Sequence, residues 1–483
     1  MHHHHHHGGS GKTILHPIAI AAFAFCTSLA LAQPECEATR IVSPPETPPS
    51  RFGDRVATNG RQWIITDANA RTLCPGDPFH CSAGAVHSYE MIDGQLVHRQ
   101  TLTPPRPRLG DFYGISLDIH ENRLIVGTLN YTWPDNPRRG GAFVYEYTGE
   151  EWVEVGQIQK PDIDPAFLKD MGVTAKMHDG LALLPAGTLR RGVLTYRETA
   201  EGWAFHELIE SPDGLPADAL FGTFLAMGGP WVFISAFRDS SVMPNAGSVY
   251  VYRREADGTL AFVEKLVSPD APAQAYTGFG FGIAFDGQTL AVGAPGVDRD
   301  AESQGVVYTF EFDGRSWVQR QELVRPDPQE LEQFGQWLSM GGGVLMAMST
   351  RDIPRISHNS PYAYRRGADG VWREAGLLVP NPTFFAIDYG ARTATDGRHV
   401  LVGSSQDVEP DGITTFGAAY LFDLTCFDCQ PDLDHDGVLT IFDYLTFQTA
   451  FGTADPLADF DGDGELTLFD FQAFQTAFGQ GCP

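Results

Sequence analysis

The chain has 483 residues and a formal net charge of −28. Such an excess of carboxylates argues against nucleic acid or an anionic membrane as partner. It suits an exported protein held in solution by its own charge, and the length allows one large domain plus a small one.

Residues 1–12 read as an expression tag, so their histidines carry no meaning. Residues 13–32 read as a secretory signal peptide. Ile14 to Ala32 is apolar, and Ala30-Leu31-Ala32 offers a small-x-small cleavage site before Gln33. The run is too short and wrongly flanked to span a bilayer, and no other stretch is a candidate. The expected location is therefore extracellular or at the cell surface. Without Cys26 of the leader, six cysteines remain, and an even number in an oxidising compartment points to three disulfides.

From residue 51 to about 425 the chain repeats at intervals of about fifty-five residues. Each unit opens on a bulky residue followed by Gly: Phe52-Gly53, Leu109-Gly110, Phe221-Gly222, Phe279-Gly280, Phe334-Gly335 and Tyr389-Gly390, with a degenerate copy at Met171-Gly172. A Gly or Asn turn follows, then a short apolar strand such as Thr289-Leu-Ala-Val-Gly-Ala294. A variable loop leads to a second strand after Gly, as in Gly305-Val-Val-Tyr308. An outer strand closes the unit, often carrying Trp (Trp152, Trp203, Trp317, Trp372). Short strands punctuated by Gly turns are antiparallel sheet signals. Four strands per unit at this period predict a mainly β fold, a seven-bladed propeller over 33–425.

The seventh unit stops after its third strand, at Tyr420-Leu-Phe-Asp423. The phrase Thr39-Arg-Ile-Val-Ser-Pro44 matches the closing phrase Glu264-Lys-Leu-Val-Ser-Pro269 of the fourth unit. An N-terminal strand should therefore complete the last blade and remove two sheet edges. That places Cys36 near Cys426 and predicts a disulfide between them, contributing about 4–5 kcal/mol in the chain-entropy model. Cys74 and Cys81 should pin a loop of the first blade. Cys429 and Cys482 should clasp the ends of the tail, with an exchange between Cys426 and Cys429 left open.

Residues 426–483 hold two copies of one loop-plus-helix unit. The first runs Asp432-Leu-Asp434-His-Asp436-Gly437-Val438 to Asp443, and the second Asp459-Phe-Asp461-Gly-Asp463-Gly464-Glu465 to Asp470. Carboxylates at positions 1, 3, 5 and 12, Gly at 6 and a carbonyl at 7 can surround a hard cation. The expected ligands of two Ca2+ ions are Asp432, Asp434, Asp436, the Val438 carbonyl and Asp443, then Asp459, Asp461, Asp463, the Glu465 carbonyl and Asp470. Thr440 and Thr467, at position 9, are expected to act through water. Fifty residues bury little apolar surface, so cation binding should contribute directly to folding.

The phrase Phe279-Gly280 … Leu290-Ala-Val-Gly293-Ala294-Pro295 … Gly305-Val-Val-Tyr308 resembles the FG-GAP repeat of integrin α-subunit propellers. Some blades of that family hold calcium on an Asp-x-Asp-x-Asp-Gly turn, which no blade here carries; Asp298 and Asp300 come nearest. The tail resembles a type I dockerin, the duplicated calcium module that anchors secreted proteins to cohesins. Its ending Gly481-Cys482-Pro483 is similar to the dockerin variant of planctomycete secreted proteins. The resemblance implies a cohesin-like or other surface receptor, with Ile441-Phe442 and Leu468-Phe469 at the partner-selecting positions.

Catalytic motifs are absent: no Gly-x-Ser-x-Gly elbow and no His-Glu-x-x-His appears. The propeller histidines, from His80 to His399, look scattered, without ligand spacing. The expected function is non-catalytic recognition or adhesion. The propeller would bind a glycan or protein ligand through long loops near 130–139, 239–245, 297–304 and 352–360, and the tail would anchor it. The alternative is a polysaccharide hydrolase or lyase on the same scaffold, since propellers can bring carboxylate pairs together from distant blades.

Overall fold

A computed structural model of the chain describes residues 37–483 apart from 46–49, 73–80, 136–138, 164–170, 187–191, 272, 351–355, 358–359, 381–385, 408–415, 428–430, 434–438, 461–464 and 481–483. The tag, the signal segment, Cys36, Cys74, Cys429, Cys482, Asp434, Asp436, Val438, Asp461 and Asp463 lie outside the described residues, and Cys81 is described at the backbone only.

Among the described residues seven blade sheets follow one another along the chain, six of four antiparallel strands in chain order and a last of five that adds Ile356–Ser357 in parallel, beside a two-stranded ribbon of Arg71–Thr72 with Cys81–Ser82. The innermost strands are Val56–Thr58, Ser116–His120, Lys176–His178, Leu225–Gly228, Ile283–Phe285, Leu338–Gly341 and Ala386–Thr395. Each lies against the innermost strand of the next blade, and the seventh lies against the first, so the blades form a closed ring. Second strands such as Gln62–Asp67 and Val344–Ser349 are buried along their whole length, because neighbouring blades cover both faces. That is why they read as continuous apolar runs. Outer strands such as Trp152–Gln159 alternate between buried and exposed, as a one-sided strand should. The tryptophans of the outer strands are core residues: Trp152, Trp317 and Trp372 are buried, and Trp203 packs beside its blade's core.

A register shift recurs in blades one to six, immediately before Tyr89, Tyr145, Tyr196, Tyr252, Phe310 and Tyr364. One extra residue at the same place in each outer hairpin increases the twist of each blade. Blade seven closes differently. Its fourth strand is Ala38–Ile41, paired antiparallel with Ala418–Asp423 in the register Ala38↔Phe422 to Ile41↔Ala419, with no shift. Arg40 locks this strand in place, because its Nε and Nη2 both reach Asp407 Oδ2 at 2.8 Å. Cys426, three residues past the end of that strand at Asp423, is disulfide-bonded.

Glycine at the seam between blades has a steric cause. A Cβ on Gly127, Gly293 or Gly403 would sit 2.2, 1.9 or 2.2 Å from the carbonyl oxygen of Gly172, Gly335 or Gly53 in the next blade. The blade-opening glycine thus lays its backbone directly on the second-strand glycine of its neighbour. Blade four reaches the same end by another route: Ser235 occupies the equivalent position and its hydroxyl donates to Gly280 O at 2.6 Å. Gly293→Ala must push two backbones apart. It should destabilise the propeller by roughly 1–3 kcal/mol, read as a shift of the urea midpoint.

The tail holds two equal helices, α1 (Ile441–Thr453) and α2 (Leu468–Gln480). Thirteen residues is too short for a stable isolated helix. The pair is held by a phenylalanine core in which Phe447 stacks on Phe474 with ring centroids 4.0 Å apart. Phe451, Phe460, Phe471 and Phe478 pack around that stack.

Candidate functional site

Three places gather chemistry: the two mouths of the central channel and the two loops of the tail.

At one mouth the inner strands end in their turns. The channel here is a cavity of about 440 Å³ lined by all seven inner strands. The repeat brings His120 and His178, each the last residue of its inner strand, into contact with ring centroids 3.9 Å apart. This corrects the expectation of scattered histidines: two sites 58 residues apart in sequence become neighbours when blades stack. With Asp179 they form a group whose possible ligand atoms lie within 4.8 Å of one another. Each member also ties blades together. His120 Nε2 meets Asp179 Oδ1 at 3.2 Å across blades two and three. The Gly229 amide of blade four donates to His178 Nε2 at 2.7 Å. Burial, and then the neighbouring His120, pull the His178 pKa down, which keeps that nitrogen neutral and able to accept. Asp118 is likewise engaged, by Lys176 Nζ at 2.7 Å and by the Met177 amide at 2.9 Å.

The opposite mouth, where the inner strands begin, has a different character. Residues one or two positions after the blade-opening glycines converge there: Arg55, Phe224, Phe281, Trp337 and Arg392. Trp337 contacts Phe224 and Phe281 edge-on, with centroids 5.5 and 5.8 Å away. Phe237, at the start of the long loop of blade four, joins them 4.8 Å from Phe281. All four aromatics are only partly buried, unlike the core rings of the same blades. The Arg392 guanidinium lies 3.8 Å above the Trp337 ring, within cation–π range. Beside it opens a cleft of about 430 Å³ between blades one, six and seven, lined by Asp54, Arg55, Gln336, Trp337, Thr350, Arg392 and Ser405, among others. The repeat signal missed these residues because they break it: the blades do not share one side chain at the position.

The long loop of blade five turns out to be braced internally. Arg299 spans Asp270 and Glu322 at 3.0 and 2.9 Å, and the Ser303 amide donates to Asp298 Oδ1 at 2.6 Å. Asp298 and Asp300 are not part of any metal-capable group among the described residues. The expected loops near 130–139 and 352–360 fall partly outside the described residues.

In the tail, the carboxylates at position 12 of both loops are buried, as is Asp432. Asp443 Oδ1 accepts from the Leu433 amide at 2.9 Å and Oδ2 from the Thr440 amide at 2.8 Å. Asp470 repeats the pattern, with Phe460 at 2.8 Å and Thr467 at 2.6 Å. Each carboxylate thus clasps its loop at positions 2 and 9 and keeps lone pairs for a cation. The hydroxyls of Thr440 and Thr467 each accept at 3.1 Å from the amide two residues on, capping α1 or α2. Ile441, Phe442, Leu468 and Phe469 are 62, 66, 67 and 68% exposed, forming one equivalent apolar pair per helix start. Asp459 and Glu465 are described, while the remaining expected ligands fall outside the described residues.

Comparison with known proteins agrees with the propeller. The family model of the FG-GAP repeat matches residues 261–310. No curated protein matches the sequence. Among solved structures, the chain is similar to a "putative 6-phosphogluconolactonase" from Bacteroides uniformis, at 12% identity and a TM-score of 0.42, covering 69% of this chain and 90% of that one.

Proposed function

We propose that this is a secreted, non-catalytic recognition protein whose propeller binds a glycan or protein ligand and whose tail anchors it by calcium-dependent docking. The FG-GAP propeller scaffold is a ligand-binding frame, and the observation that carries the reading is the contrast between the two mouths. At the mouth holding His120 and His178 the polar groups are engaged in holding blades together. At the other, half-buried aromatics, two guanidiniums and amide and hydroxyl groups border an open cleft. A concave site with apolar walls and a few convergent polar groups is a binding site in outline.

The tail reading rests on the duplicated loops. Buried Asp432, Asp443 and Asp470 are costly as anions unless compensated, and a divalent ion at each loop supplies that compensation. The residues present fit calcium: hard oxygen donors on a loop closed by its last carboxylate. The two exposed apolar pairs then form the contact surface for a cohesin-like or other receptor. A disulfide between Cys36 and Cys426 would staple the ring.

A polysaccharide-degrading enzyme is the second reading, and the His120–His178–Asp179 group is the observation that favours it. Among the described residues the cleft at the other mouth has one carboxylate in its lining, Asp54, whereas glycoside hydrolysis uses two. A glycan array and a pull-down from the secretome of the source, run beside hydrolase and lyase assays, test the choice. Binding without turnover is expected; turnover of a polysaccharide without retention would overturn it.

A further inference from the structure

We infer that His120, His178 and Asp179 form a binding site for a divalent ion of the zinc class, set across the seam between blades two and three. The inference does not depend on what the propeller recognises.

The fold assembles the site. His120 ends the inner strand Ser116–His120 of blade two, and His178 ends Lys176–His178 of blade three. Asp179 opens the turn that follows. The contacts among the three are short of a proton. The Gly229 amide donates to His178 Nε2 at 2.7 Å, so that nitrogen carries a lone pair and no hydrogen. The same nitrogen faces Asp179 Oδ2 at 3.5 Å. A lone pair set against a carboxylate oxygen is repulsive, and a cation between the two removes the repulsion. On the other side of the carboxylate, Oδ1 lies 3.2 Å from His120 Nε2. A tetrahedral site with bonds of about 2.0–2.1 Å has edges of about 3.3–3.4 Å. The two nitrogen–oxygen separations bracket that edge.

The neighbouring cations leave the group to an ion. Among the described residues no Lys or Arg pairs with the Asp179 carboxylate. Lys176 goes to Asp118 at 2.7 Å, Arg123 to Glu198 at 3.0 Å, and Arg254 to the Asp179 carbonyl at 2.8 Å. The Asp179 side chain is 61% exposed, so water reaches the fourth position. Two imidazoles and one carboxylate suit zinc, copper or nickel, whereas calcium takes oxygen ligands. On binding, His120 moves its ring proton to Nδ1 and gives Nε2 to the ion. His178 exchanges the Gly229 amide for the ion, and Gly229 is exposed, so its amide passes to water.

Titration of Zn2+ into the chain from Gln33 onward tests this, because that chain lacks the tag histidines. Excess calcium in the buffer occupies the tail loops. Zinc should bind and raise the melting temperature of the propeller. His120→Gln and His178→Gln should each lose about tenfold or more in zinc affinity, as removal of a ligand costs at least what loss of a supporting group does. Asp179→Asn should lose several-fold, and His206→Gln nothing. A readout without variants guards against a loosened seam. Zinc should protect His120 and His178 of the unaltered chain from diethyl pyrocarbonate, read by peptide mass spectrometry, and leave His206 as reactive as before. Calcium should protect neither. Absence of zinc binding, wild-type affinity in both histidine variants, equal modification with and without zinc, or equal protection by calcium would each overturn the inference.

Discussion

Chelation of calcium should abolish the unfolding transition of the tail while leaving that of the propeller in place. The cause is the position of the charges. Asp443 and Asp470 are fully buried, and each ends a loop whose sequence carries further carboxylates. Their amide partners at positions 2 and 9 offset part of the desolvation, and the phenylalanine core between α1 and α2 is too small to offset the mutual repulsion of the rest. An ion held at a thousand times its dissociation constant contributes about 4 kcal/mol, comparable with the whole stability of so small a module. Calorimetry of the full chain should show two transitions in calcium and one in chelator. Asp443→Ala removes a proposed ligand together with the N3 half of the capping box that starts α1. That variant should melt the tail even in calcium. A tail transition indifferent to chelator would end the metal-dependent account.

Arg40→Ala should be the most damaging single change in the propeller. The Asp407 side chain is fully buried, and Tyr420 donates its hydroxyl to the same oxygen that Arg40 contacts. Removing the guanidinium leaves that carboxylate in the interior without its opposite charge, a loss of roughly 3–5 kcal/mol. The effect is also topological. Arg40 sits on the strand that shuts the ring, so its loss exposes an edge of blade seven that pairs with nothing else. Asp407→Asn in the same chain should return a good part of the stability, because the uncompensated charge is gone. Failure of the double variant to recover would place the damage in packing rather than in the ion pair.

Much of this architecture was legible in the chain because propellers repeat their steric needs. Gly293 had to be glycine for a reason visible only in three dimensions, the carbonyl of Gly335, yet the spacing of Phe-Gly and Val-Gly phrases marked it in advance. The closing strand was legible because Thr39–Pro44 copies the phrase that ends blade four. What stayed hidden follows from the same physics. Arg55 and Arg392 stand at opposite ends of the propeller sequence and meet only when the ring closes. His120 and His178 looked scattered because a period of 58 residues is no ligand spacing along a chain, though it is one across a blade seam. In blade four, Ser235 replaces the seam glycine by a hydrogen bond, a substitution that erases the sequence signature and keeps the geometry. Thr440 and Thr467 also cap their helices, because helix capping and cation binding favour the same hydroxyl residues at the same loop end.

Hydrogen exchange on the full chain, free and with a glycan or protein ligand from the array or the pull-down bound, tests the central claim most directly. Protection should appear around residues 53–55, 222–225, 279–283, 335–338 and 390–393, the segments bordering the aromatic mouth. The segments holding His120 and His178 should exchange as they do in the free protein. Protection centred on those histidines, or on the outer strands of the blades, would contradict recognition through the cleft that Arg392 and Trp337 define.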